Sequence, residues 1–118
     1  MKPKPAVSRD ATLYIDDMIE ACRRVMQYTE GLTRTQLVSG TMAHDAVLRN
    51  LEVLGEAAKN VPPAMRQMHE TIAWRRIAGL RDVLAHAYFG IDDDIVWSVV
   101  AEEVPTLLPR LVALRARL

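Results

Sequence analysis

Apolar residues in this chain return every third or fourth position, and that repeat constrains the fold more than any other feature. In "DATLYIDDMIEACRRVMQYTEG", Tyr14, Ile15, Met18, Ile19, Cys22, Val25 and Met26 recur at helical spacing. Ala43, Val47, Leu51, Leu54, Ala58 and Val61 repeat the pattern across a second stretch. Only a helix gathers such positions onto one face, whereas a strand needs strict alternation. Alternating β-branched residues and Asn-Gly turns are missing. The punctuation then sets the elements. The first helix runs from an N-cap at Asp10 to a stop at Gly31, and "LTRTQLVSG" forms a short helical turn. A long helix spans about Thr41 to Asn60. Pro62 and Pro63 end it and start a single turn through Met68. A fourth helix is expected from about Thr71 to Tyr88, closed by Gly90 in the left-handed C′ position. The acidic run 92–94 opens the next helix, whose face includes Ile95, Val96, Val99 and Val100. Pro105 breaks or kinks it before "TLLPRLVALRARL". The expected fold is all-α: an up-and-down bundle of four main helices plus short helical turns. Residues 1–9, rich in Pro and Lys, read as a flexible arm before one domain over 10–118.

Charge and cysteine content narrow the function classes. With 118 residues a single core is expected. Fifteen basic residues balance fifteen acidic ones, so the global positive field of a non-specific nucleic-acid binder is missing, while a local basic cleft remains open. Twelve of the fifteen basic residues are Arg, the better donor to phosphate oxygens. Cys22 is the only cysteine. No intrachain disulfide can form, and with neither a hydrophobic signal region nor a membrane-length apolar run, a cytoplasmic protein without membrane contact is expected. His44, His69 and His86 are scattered, with no metal-ligand spacing, so neither metal nor cofactor is expected. A Gly-rich phosphate loop and a serine nucleophile elbow are also missing.

One segment is unusually rich in chemistry. "RDVLAHAYFG", residues 81–90, carries a guanidinium, a carboxylate, an imidazole and a phenol. On a helix Arg81 and Tyr88, seven apart, share a face, and Asp82 and His86 stack one turn apart. Asp82 can accept from one imidazole nitrogen, fix the tautomer and leave the other nitrogen aimed outward. That carboxylate and the last-turn position both favour the charged imidazole, giving a group able to exchange protons near neutrality. Spacing alone leaves two readings open, a solvated helix end or an active site. Asn50 and Glu56 are candidate supporting residues. The plainer roles are a hydrogen bond between helices for Asn50 and a solvated carboxylate for Glu56. Gly55, unfavourable in mid-helix, fits a close helix crossing. "WRR" at 74–76 reads either as a phosphate track or as a solvated face.

The string R-x-x-x-x-H-x-Y, filled by Arg81, His86 and Tyr88, resembles the signature of HepT-like toxins of the HEPN superfamily. "RNLEVLGEAAKNVP" at 49–62 and "WRRIAGLRDVLAHAYFGIDDDIVWSVVAEEVPTLL" at 74–108 are similar to the rest of that pattern. The resemblance implies a HEPN-like helical domain acting as a homodimeric, metal-independent endoribonuclease on RNA. It makes Arg81 and His86 the catalytic pair and puts Asp82 at a position that is usually polar. It further implies a type VII-like toxin–antitoxin system, in which an MntA-like nucleotidyltransferase antitoxin attaches AMP to Tyr88. The alternative is a non-catalytic helical binding subunit that docks a nucleotidyltransferase.

Overall fold

A computed structural model of the chain describes residues 9–39, 42–88 and 93–118, with side chains over 11–39, 42–85 and 93–118. Eight α-helices occur among the described residues: α1 (Arg9–Thr29), α2 (Arg34–Val38), α3 (Met42–Asn60), α4 (Pro63–Arg66), α5 (Trp74–Ala78), α6 (Leu80–Tyr88), α7 (Asp93–Ser98) and α8 (Val104–Ala116). A 3₁₀ turn at Gln67–His69 follows α4, and a π-helical segment at Val99–Glu103 joins α7 to α8. No strand occurs among these residues, so the fold is an all-α bundle.

The central element is α3. Along one side it packs on α1, which in turn lies across α8, and on another it receives α5 and α6. Ile15, Met18, Cys22 and Val25 from α1 meet Val47, Leu48, Leu51, Leu54 and Ala58 from α3 in one buried cluster. Leu84 from α6 and Leu111 and Leu114 from α8 complete it. Burying each such side chain contributes about 1.5–3 kcal/mol against the entropy lost in ordering the chain. Burial also pushes the Cys22 thiol up to about 12, which makes it an inert core group.

The helix stops have local causes. Gly31 sits at φ 77° just beyond α1, a conformation that costs an L side chain and suits glycine. Thr33 and Gln36 form a reciprocal capping box on α2: the Thr33 hydroxyl accepts from the Gln36 amide, and Gln36 Oε1 from the Thr33 amide. At the end of α3 the carbonyls of Ala58, Lys59 and Val61 accept from the Arg66 guanidinium. Pro62 and Pro63 forbid further helix there, and Arg66 supplies donors to carbonyls that the helix cannot satisfy itself.

Several boundaries differ from expectation. Asp10 is already helical, one residue inside α1, and so does not stand at the N-cap position. The single helix expected over 71–88 is two. Residues 71–73 lie before α5, and at Gly79 the ladder is interrupted, its amide shared between the Arg75 and Arg76 carbonyls. Pro105 does not break the last helix. The chain runs on into α8 through a π-helical segment in which the Val104 amide donates to the Val99 carbonyl, and Pro105 follows directly after this widened turn. Met26 (38% exposed) and Ile95 (37%) fall outside the core. Each follows or precedes a buried valine, Val25 or Val96, and about 100° of rotation turns it out of the contact. The arm expected over 1–9, apart from Arg9, and Gly90 lie outside the described residues.

Candidate active site

The site is built from the α6 backbone and the face of α3 beside it. Arg81 and Asp82 stand in the first turns of α6, and both side chains are exposed. Because α6 is helical through Tyr88, its register puts position 86 one turn beyond Asp82 and position 88 on the Arg81 side. The side chains of His86 and Tyr88 lie outside the described residues. Helix geometry therefore collects the three motif positions and Asp82, in backbone terms, along one nine-residue helix.

Arg81 lines a cavity of about 360 Å³ together with Tyr14 and Asp17 of α1 and Glu52, Val53, Glu56, Ala57 and Asn60 of α3. Its Nη1 donates to Glu56 Oε1 at 3.3 Å, and the two side chains are 58% and 52% exposed. Among the described residues this is the carboxylate paired with Arg81. Asp17 and Glu52 add further negative charge to the same cavity. On the single chain the surroundings of Arg81 are thus acidic. Glu52, Glu56 and Asn60 recur every four residues, so this polar stripe of α3 was visible in the spacing, although only Glu56 stood out.

The other candidates take different places. Asn50 is buried (8% exposed), and its amide donates to the Ala46 carbonyl at 2.8 Å within α3, not across to another helix. In "WRR", Trp74 is buried and its indole donates to the His69 carbonyl, while Arg75 is exposed. Arg76 makes a two-pronged contact with Glu103 at 2.6 Å, and that hydrogen bond and charge raise its pKa above the usual arginine value. Arg76 is therefore held as a structural tie between α5 and the π-helical segment. Among the described residues no cluster of three His, Cys, Asp or Glu side chains is arranged to hold a metal ion. No described helix is long and apolar enough to cross a membrane.

Gly55 explains how Glu56 reaches Arg81. A Cβ at Gly55 would lie 3.1 Å from the Ile77 carbonyl oxygen and 3.4 Å from Leu80 Cβ. Its absence lets α3 close on the α5–α6 junction, so the next residue of α3 meets the residue after Leu80.

Comparison with known proteins gives a consistent result. The sequence model of the family described as Ribonuclease HepT-like matches residues 18–114. The chain is 36% identical over 102 residues to "Probable ribonuclease HepT" of Thermococcus cleftensis, covering 86% of this chain and 93% of that one. It is 34% identical over 94 residues to "Putative RNase TTE0752" of Caldanaerobacter subterraneus, covering 80% and 84%. A Methanocaldococcus jannaschii protein, "Gamma-glutamylcyclotransferase and putative RNase MJ0434", is 31% identical over 110 residues, 93% of this chain but 50% of that longer one. No solved structure matches.

Proposed function

Because this chain belongs to the HepT-like ribonuclease family, we propose that it is the toxin of a toxin–antitoxin pair, an endoribonuclease whose reaction needs no metal. The observation that carries the reading is the family match over 18–114, which spans an intact Arg81, His86 and Tyr88 set on one helix. Cleavage of RNA without a metal requires three things: a base for the 2′-hydroxyl, an acid for the 5′-oxygen and positive charge on the phosphorane. Two copies of α6 facing each other in a homodimer supply two imidazoles and two guanidiniums. One His86 removes the 2′-hydroxyl proton as the oxygen attacks phosphorus. The second protonates the departing 5′-oxygen, leaving a 2′,3′-cyclic phosphate and a 5′-hydroxyl. Asp82 orients His86, and Arg81 offers planar, permanently charged donors to the non-bridging oxygens.

Tyr88 is the control point. Its phenolic oxygen displaces pyrophosphate from ATP on an MntA-like nucleotidyltransferase, and the AMP gained sets a bulky anion on the Arg81 side of α6. RNA phosphate and AMP then compete for the same guanidinium. The acidic surroundings of Arg81 favour a second reading, a non-catalytic subunit that docks the nucleotidyltransferase. Incubating purified protein with RNA and a chelator separates the two. The ribonuclease yields cyclic-phosphate ends at full rate, whereas a requirement for Mg²⁺ or no cleavage at all rejects it.

A further inference from the structure

We propose that Glu56 is a positioning residue for Arg81, delivered to it by the close helix crossing at Gly55. The inference rests on the ribonuclease reading and specifies how its charged group is held. An arginine more than half exposed at a helix start has many rotamers, few of which would meet a phosphate in the geometry a transition state needs. Glu56 takes the Nη1 side of the guanidinium. The opposite edge, formed by Nε and Nη2, is left for two parallel hydrogen bonds to non-bridging phosphate oxygens. Oxygen acceptors on both sides of a planar cation restrict its rotation about the last side-chain bonds.

The clamp depends on backbone approach as much as on charge. With the Ile77 carbonyl only 3.1 Å and Leu80 Cβ 3.4 Å from where a Gly55 Cβ would stand, a larger residue crowds α3 against the α5–α6 junction. Even a few tenths of an ångström of separation there weakens a Glu56–Arg81 contact that already stands at 3.3 Å. Leu80 lies on the buried side of the same turn, so the residue next to Arg81 is anchored while the guanidinium itself is steered from α3. Glu56 touches no reacting atom in this account and acts only through Arg81.

A positioning carboxylate and a merely solvated one predict different kinetics. Glu56 repels RNA phosphate, so its removal leaves KM unchanged or lower in either case. Positioning additionally requires kcat to fall. In full-length protein Glu56→Ala should lower kcat by about tenfold while the thermal unfolding midpoint stays put, since an exposed pair adds little stability. Glu56→Gln keeps an acceptor oxygen in place and should recover part of the loss. Nitrogen-detected NMR of the Arg81 side chain should show Nε–H ordered in the wild type and mobile in Glu56→Ala. Wild-type cleavage with an unchanged kcat in Glu56→Ala, or equal Arg81 mobility in both proteins, overturns the positioning role and leaves the ribonuclease reading intact. Failure of the wild-type protein to cleave RNA overturns that reading and the role together.

Discussion

At the scale of single residues the proposed chemistry divides between two groups that cannot replace each other. In the proposed mechanism His86 moves protons and Arg81 carries charge. Under the proposed mechanism His86→Ala lowers cleavage by roughly 10²–10⁴, the range for losing a positioned acid–base group. Arg81→Ala loses about 10²–10³ through lost stabilisation of the phosphorane. Both substitutions leave the helical circular dichroism unchanged, because Arg81 is exposed and its pair with Glu56 is worth little to folding. Cleavage rates on a defined RNA check this, and an active His86→Ala protein rejects the mechanism. Tyr88→Phe keeps the ring and removes the oxygen proposed to accept AMP. With the nucleotidyltransferase and ATP, the wild-type peptide containing Tyr88 should gain AMP mass, and the Phe protein should remain uninhibited. Mass spectrometry that finds AMP on Tyr14 or Tyr28 instead moves the control point elsewhere.

At the scale of elements, α3 needs a firm C-terminal end, because its residues from Glu52 to Asn60 line one side of the cavity beside Arg81. Arg66 provides that end by donating to three carbonyls around Val61. Arg66→Met keeps the apolar stem and removes every donor. The expected cost is about 1–2 kcal/mol, the scale of charge-assisted hydrogen bonds that are partly replaced by water. Urea unfolding reads it directly, and an unchanged midpoint and slope would show that the carbonyls are equally well served by solvent. This cap was not legible beforehand, since it joins residues five to eight apart across a proline pair. The Thr33 capping box, in contrast, has a local signature that could have been read from Thr-x-x-Gln alone.

For the molecule as a whole, the proposed two-histidine mechanism bears on assembly. One chain supplies one Arg81 and one His86, whereas the proposed reaction needs a base and an acid at the same time. A second copy adds another Arg81 and another His86 to the site, which is why the proposed ribonuclease is at least a dimer. Mixing Arg81→Ala and His86→Ala chains should restore part of the activity through heterodimers that hold one intact combination. Light scattering and the mixing assay together check it. A fully active monomer would remove the two-histidine mechanism.

Periodicity was enough to establish the all-α class, the extents of α1 and α3, and most of the buried stripe from Ile15 to Leu54. Those properties follow from side-chain spacing, which is local and written in the chain. The motif positions on α6 were legible for the same reason, because a helix fixes relations four and seven residues apart. The break at Gly79 was not, nor was the passage through Pro105. Both depend on how backbone hydrogen bonds are redistributed, once at a glycine amide shared by two carbonyls and once in a π-helical turn. The fates of "WRR" and Asn50 also needed tertiary structure: composition cannot tell a cation tied to Glu103 from one open to phosphate, nor which carbonyl a buried amide will find. The meeting of Glu56 with Arg81 was decided the same way, by residues 25 positions apart brought together where Gly55 lets two helices close.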